Sequence, residues 1–212
     1  MTGFSSPSAP NYNSFSNKYV GDTDHVFGNN SSNKINPRYN GMKVSREVYL
    51  DLESDGYKYD MVDGLLVLSP SAKYGHGKCQ GKTLFLIHNY LKANPVGEVV
   101  TEIDIFLPDG GDVLRPDISF ILNENLGIVQ GHIHGVPDLV CEILSESTEK
   151  RDTGVKAERY LVNGVKEYWV LDPRNQTVQV WHNRKTRWKK ETKGPFESQV
   201  LKGFSLSKEN SF

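Results

Sequence analysis

Three residues carry most of the chemistry that the sequence offers. Asp117 stands in Arg115-Pro116-Asp117-Ile118-Ser119-Phe120. Strand alternation there puts Ile118 and Phe120 on one face, with Asp117 and Ser119 on the other. Glu142 interrupts the apolar run Leu139-Val140-Cys141-Glu142-Ile143-Leu144, where a carboxylate is costly unless something pairs it. Lys156 falls on the helix expected just after that strand. Two carboxylates on neighbouring strands repel one another. Together they favour a hard divalent cation such as Mg²⁺, which takes oxygen ligands and keeps several waters. A lysine nearby can orient or deprotonate one of those waters and neutralise charge developing on a phosphate. Asp, Glu and Lys thus form a minimal set for metal-assisted phosphodiester hydrolysis.

Each of these residues also has a plain structural reading. Asp117 after Pro116 can simply shape the start of a strand. Glu142 can form a buried ion pair with Arg115 or Arg159. Lys156 lies four residues after Asp152, so an ordinary ion pair on a helix surface, worth about 0.2–0.5 kcal/mol, also accounts for it. His76 by itself reads as a helix-start or loop residue. His132-Ile133-His134 sets two imidazoles on one strand face, but no third zinc ligand is evident. Cys141 points away from Glu142 and reads as a small core residue.

The elements that must position these groups follow from pattern. Ser45 can cap a short helix running to about Asp55, with Val48, Leu50 and Leu52 toward its inner face. Tyr57 to Val62 reads as a strand, Asp63-Gly64 as a hairpin turn and Leu65 to Ser69 as the returning strand. Gly77 to Asn94 is the longest helical pattern. Leu84, Ile87, His88 and Leu91 recur there at helical spacing, and Pro95 forbids continuation. Gly97 to Leu107 and Val113 to Leu122 read as a strand pair across the Pro108–Gly111 turn. Residues 123–136 read as a loop. Pro137 to Leu144 is strand-like, Asp152 can cap a helix through Asn163, and Gly164 is placed to end it. Strands are expected at Lys166–Leu171, Thr177–His182 and around Arg187–Thr192. This order predicts an α/β fold of the α+β kind, a mixed sheet with helices on its faces.

Composition bounds the rest. The chain has 212 residues, 37% hydrophobic and 24% charged, with net charge −1. That suits one domain of ordinary size and excludes a fibrous or wholly disordered chain. No apolar stretch reaches the roughly 18 residues of a membrane span, and no secretory signal is evident. Two distant cysteines, Cys79 and Cys141, argue against a disulfide framework, and a reducing, cytoplasmic setting is expected. Residues 1–41 hold 8 Asn and 7 Ser and almost no aliphatic side chains, so they read as a disordered arm ahead of a domain spanning 42–212. Charge is uneven. Residues 97–153 hold 12 acidic against 3 basic residues, and residues 182–202 hold 2 against 7. An acidic middle and a basic tail fit a metal site beside a phosphate-contacting surface, although two solvated faces that cancel fit as well.

The stretch from Tyr57 to Trp181 resembles the Uma family of restriction endonucleases, a branch of the PD-(D/E)XK nuclease superfamily. Six pieces carry the resemblance, in order. They are Tyr59-Asp60-Met61-Val62-Asp63-Gly64, then His76, then Arg115-Pro116-Asp117. Pro137 through Ser145 follows, then Asp152 with Lys156 and Tyr160, and last Gly164 through Pro173. The resemblance implies a restriction-endonuclease-like core. It implies that Asp117 and Glu142 are metal ligands. The superfamily's usual lysine position, two residues after the second acid, is Leu144 here; Lys156 matches the position on the next helix that the Uma family uses. Asp60 matches an acidic position, usually Glu, that would add a metal contact, and His76 matches a histidine near the metal or phosphate.

The expectation is therefore a Mg²⁺- or Mn²⁺-dependent endonuclease acting on DNA phosphodiesters. Asp117, Glu142 and the main-chain carbonyl of Ile143 would hold the metal, Lys156 would orient the attacking water, and Asp60 and His76 would assist. Arg184, Lys185, Arg187, Trp188, Lys189 and Lys190 would meet the nucleic-acid backbone, and a homodimer would suit two cuts in a duplex. The rival is a catalytically silent module that keeps the fold and binds nucleic acid or a protein partner, since fold alone does not establish activity.

Overall fold

A computed structural model describes residues 37–108 and 111–212. The arm expected over residues 1–41 lies outside the described residues as far as residue 36, and so do Asp109 and Gly110 of the expected turn. The described chain joins the fold from Pro37, five residues ahead of the expected boundary. Tyr39 is buried against the edge of Tyr59, and Gly41 N–H donates to the Leu66 carbonyl at 2.8 Å.

The chain opens with helix α1 (Arg46–Leu50), then the hairpin β1 (Lys58–Val62) and β2 (Leu65–Ser69). Ser45 caps α1 as its sequence suggests, its hydroxyl accepting from Val48 N–H. The helix is shorter than expected, and Val48 and Leu50 are exposed. Tyr49 packs inward instead, edge-on to Phe106. Helix α2 (Tyr74–Ala93) follows, with Cys79, Thr83 and Ile87 buried.

The next four strands are β3 (Gly97–Thr101), β4 (Ile105–Phe106), β5 (Val113–Leu114) and β6 (Ile118–Leu122). They are the expected strand pair, broken in two. β3 pairs antiparallel with β6, and β4 with β5, but the two pairs belong to different sheets. The break falls at Glu102, which has a positive φ of 55°, and opposite it at Arg115-Pro116. Proline cannot donate to a ladder, so the crossover sits where one bond is already missing. Gly97 is required by contact: a β-carbon there would meet the Ile121 carbonyl oxygen at 2.2 Å.

Residues 123–136, expected as loop, hold a 3₁₀ turn (Asn123–Ile128) and the short strands β7 (Val129–Gln130) and β8 (His132–His134). Strand β9 (Leu139–Ile143) is buried throughout. Then comes one helical stretch in three parts: α3 (Glu149–Arg151), a π turn (Asp152–Lys156) and α4 (Ala157–Asn163). Gly164 ends it in the left-handed region, φ 93°. Asp152 is not the cap; the helix begins three residues earlier, and Asp152 is buried inside it. Strands β10 (Glu167–Asp172), β11 (Thr177–Asn183) and β12 (Trp188–Glu191) follow, then β13 (Phe196–Glu197), β14 (Ser205–Leu206) and helix α5 (Lys208–Ser211).

The larger sheet has the order β12-β11-β10-β9-β6-β3, with β9 and β10 parallel and its other neighbours antiparallel. All six residues of β10 are buried, which requires cover on both faces. One face packs Cys141, Ile143, Trp169 and Leu171 against α2 and the C-terminal Phe204 and Leu206. The other packs Val140, Leu144, Tyr168 and Val170 against α4 and against Ile105 and Leu114 of the second sheet. That second sheet runs β2-β1-β5-β4-β8-β7. Glu142 lies on the second face, beneath α4, and Cys141 on the first.

Candidate active site

Asp117 immediately precedes β6, and Glu142 and Ile143 end β9. The antiparallel pairing of Ile118 with Cys141 brings these three residues together. Asp117 Oδ2 accepts a 2.6 Å bond from Ile143 N–H. Its other oxygen lies 3.2 Å from His76 Nε2, on the first turn of α2. One turn further along α2, Gln80 donates to the Asp117 carbonyl at 3.0 Å. His76 and Gln80 are four apart, so they share a helix face. That spacing is the signal by which Gln80 was findable in the sequence.

Glu142 has neither of the arginine partners its sequence allows. Arg115 is bidentate to Asp104 at 2.6 and 2.8 Å, and Arg159 bonds Asp112 and Asp63. Its partner is Lys156, whose Nζ lies 2.5 Å from Oε1. The Tyr160 hydroxyl donates to the same oxygen at 3.1 Å. Asp152, Lys156 and Tyr160 stand at i, i+4 and i+8 and are all buried, Lys156 only 2% exposed. The surface ion pair with Asp152 is thus an interior one, at 3.7 Å. The π turn widens the helix at this spot, a feature frequent at functional sites. The sequence pattern includes Tyr160 but gives it no role. Its four-residue spacing from Lys156 is what places it on the same face.

Asp60, on β1, is fully buried. Its Oδ1 accepts from Arg115 N–H at 2.8 Å. Its Oδ2 lies 3.3 Å from Arg151 Nη2, 3.4 Å from the Ser69 hydroxyl and 3.7 Å from Lys156 Nζ. Arg151, which the sequence did not single out, also donates to the Leu68 carbonyl and the Ser69 hydroxyl.

Burial raises the Glu142 carboxyl well above its ordinary value, and the Lys156 charge opposes that only in part. Burial acts to lower the Lys156 ammonium, but Asp60, Glu142 and Asp152 outweigh it and hold it protonated. Burial raises the Asp152 carboxyl. For His76, burial lowers the imidazole, yet the Asp117 hydrogen bond and charge prevail and raise it. Tyr160 is held protonated by burial and by the Glu142 charge, so it remains a donor.

Asp117, Glu142, Lys156, His76 and Arg151 line one cleft of about 800 Å³, with Lys58, Lys73 and Arg174 around it. Asp60 sits behind Lys156 rather than on the cleft wall. The basic residues expected to meet the backbone are elsewhere. Arg184, Lys185 and Arg187 form the β11–β12 turn, next to the start of β10, where Asn183 N–H donates to the Lys166 carbonyl. The cleft adjoins the other end of β10, at Pro173 and Arg174, roughly 20 Å along a six-residue strand. Trp188 is a structural anchor, donating to the Ala157 carbonyl. His132 and His134 flank the Phe106 ring, and among the described residues no group of three or more His, Cys, Asp or Glu is placed to hold a metal ion. Both cysteines are free and buried. No helix among the described residues is long and apolar enough to cross a membrane.

A mixed sheet with α2 on one face, α4 and a second sheet on the other, and carboxylates at adjacent strand ends is a restriction-endonuclease-like core. The chain belongs to the Uma2 family, described as "Putative restriction endonuclease", whose model matches residues 46–207. Among solved structures it is similar to one described as "a putative nuclease belonging to DUF820" from Anabaena variabilis. The identity is 18%, the TM-score 0.69, and the match covers 80% of this chain and 97% of that one. No curated protein matches.

Proposed function

We propose that the chain is a metal-dependent endonuclease that hydrolyses DNA phosphodiester bonds. The observation that carries this reading is the meeting of Asp117, Glu142 and Lys156, from three separate elements, in one open cleft. The donor set suits a hard cation. Glu142 Oε1 takes both the Lys156 and Tyr160 bonds, and among the described residues Oε2 has no hydrogen bond. Asp117 is fixed beside it through Ile143 N–H. Two carboxylates, the Ile143 carbonyl and waters are the kind of mixed oxygen shell that Mg²⁺ or Mn²⁺ accepts. When bound there, such a cation supplies charge neutralisation at the phosphoryl oxygens and lowers the pKa of its water.

The protein's own groups do the rest. Lys156, held protonated, orients the attacking water and neutralises charge that develops on the phosphate. Tyr160 fixes the Glu142 carboxylate, and His76 and Gln80 fix Asp117 from α2. The phosphate backbone enters past Lys73 and the first turn of α2, whose amide groups and dipole favour an anion. A homodimer would make the two cuts of a duplex.

The test is cleavage of a mixed DNA pool with Mg²⁺, Mn²⁺ or EDTA. Metal-dependent cleavage is expected, and it should disappear in Asp117→Ala and Glu142→Ala. Full activity in either variant would sink the assignment. Salt-dependent binding without cleavage under any divalent ion would favour the silent module.

A further inference from the structure

We propose that Asp60 and Arg151 are positioning residues that clamp the Lys156 ammonium against Glu142, and that Asp60 does not ligate the metal. The inference rests on the nuclease reading, in which Lys156 acts on the attacking water. It departs from the metal contact that family resemblance alone would give Asp60.

The contacts decide the matter. Both Asp60 oxygens face donors of the protein: Arg115 N–H on Oδ1, and Arg151, Ser69 and Lys156 on Oδ2. A divalent cation beside Asp60 would have to displace two cationic side chains. Arg151 is the fastening. Its Nη1 holds the Leu68 carbonyl at 3.0 Å, and its Nη2 holds the Ser69 hydroxyl at 3.2 Å and Asp60 at 3.3 Å. A planar guanidinium suits this fork better than an ammonium would. Arg151 directly precedes the π turn that ends at Lys156. The fork therefore ties the start of that turn to the β1–β2 hairpin.

Lys156 needs such a holder. A lysine side chain is a flexible four-carbon stem whose ammonium settles in one place only where something holds it. Glu142 fixes its tip from one side. Asp60 and Asp152, each 3.7 Å away, flank it from a strand and from its own helix. Removing the Asp60 charge loosens both, leaving Arg151 to Leu68 and Ser69 and Lys156 to Glu142 and Asp152.

The test uses the full chain and four variants: Asp60→Asn, Asp60→Glu, Arg151→Gln and, as the ligand control, Asp117→Ala. Mn²⁺ affinity, single-turnover cleavage and acetic anhydride labelling of Lys156 are measured on each, beside a urea midpoint. Asp60→Asn and Arg151→Gln should keep Mn²⁺ affinity and lose about 100-fold in rate, the usual scale for a misplaced group. Lys156, protected in the wild type, should become labelled in both, and Asp60→Glu should recover protection and part of the rate. Loss of Mn²⁺ affinity in Asp60→Asn equal to that in Asp117→Ala would overturn the proposal, as would wild-type cleavage in Asp60→Asn. If the wild type cleaves no DNA under any divalent ion, the nuclease reading falls by itself. Labelling then decides the clamp: new reactivity at Lys156 supports it, and unchanged protection overturns it.

Discussion

Lys156→Met should destabilise the fold strongly and in a pH-dependent way. The ammonium is 2% exposed and faces three carboxylates, Glu142 at 2.5 Å and Asp60 and Asp152 at 3.7 Å. With an effective dielectric of about 20, the first contact is worth roughly 6–7 kcal/mol gross and each of the others roughly 4–5. Desolvation of the ammonium offsets most of that. The net expectation is the cost of removing one partner from a buried ionic cluster, about 3–5 kcal/mol. That is a large part of the stability of an ordinary domain.

The sign with pH follows from the shifts. Lys156 has a raised folded value, so its contribution is complete below the ordinary lysine pKa and is lost only as pH climbs through the raised one. Glu142 and Asp152 are raised by burial. Without Lys156 nothing comparable opposes that burial, so the folded variant favours protonated carboxyls. Stability from such groups is complete below the ordinary carboxylate pKa, near 4, and lost as pH rises through the folded value. The deficit of Lys156→Met should therefore be largest near pH 8 and clearly smaller near pH 4.5. Urea denaturation of both proteins at the two pH values, with slopes compared, measures it. A deficit under about 1 kcal/mol at pH 8, or one independent of pH, would refute the idea of a buried compensated cluster.

Other predictions follow from single contacts. Tyr160→Phe removes one of two bonds to Glu142 Oε1 and should cost about 1–2 kcal/mol in urea denaturation. The stability that His76 adds over His76→Ala should be full below its ordinary pKa and fade as pH rises through its raised value; metal-free melts from pH 5.5 to 8.5 would show this. Gly97→Ala should destabilise by about 1–3 kcal/mol, because the new methyl meets a main-chain carbonyl that β3–β6 pairing holds in place. Arg184→Glu with Lys185→Glu and Arg187→Glu should weaken DNA binding without altering the single-turnover rate at saturation, since that turn lies away from the cleft. Its effect on the slope of affinity against salt should be at most about 3 phosphate equivalents.

Local rules placed many of the elements. Asp63-Gly64 dictated a hairpin turn, Pro95 stopped α2, and Gly164 ended α4, because each depends on backbone geometry within a few residues. What failed depended on distant partners. Val48 and Leu50 look inward by type, yet Tyr49 reaches Phe106 and turns the helix over. Gly97 to Leu107 alternates as one strand, but Glu102 takes a positive φ and the chain changes sheets. The candidate site divided in the same way. Glu142 stands out because a carboxylate conflicts with an apolar run; Asp117 and Lys156 suit a strand start and a helix surface, and only the ordered set of motifs around them singles them out. Gln80 is signalled only by its four-residue spacing from His76, and Arg151 by nothing local: a polar side chain on a polar helix face gives no sign of where it points.

The displaced lysine has a packing reason. A residue two positions after Glu142 shares its strand face, and Leu144 there is buried among Tyr160, Val165 and Val170. An ammonium at that spot would enter the apolar layer between the sheet and α4. Lys156 instead approaches from the helix above, where three carboxylates and the Arg115 carbonyl receive it. An α-helix start would present Asp152 at its end, as a cap. Beginning the helix at Glu149 and widening it over Asp152–Lys156 brings both residues under the helix together. The arrangement moves the positive charge off the strand without moving it away from Glu142.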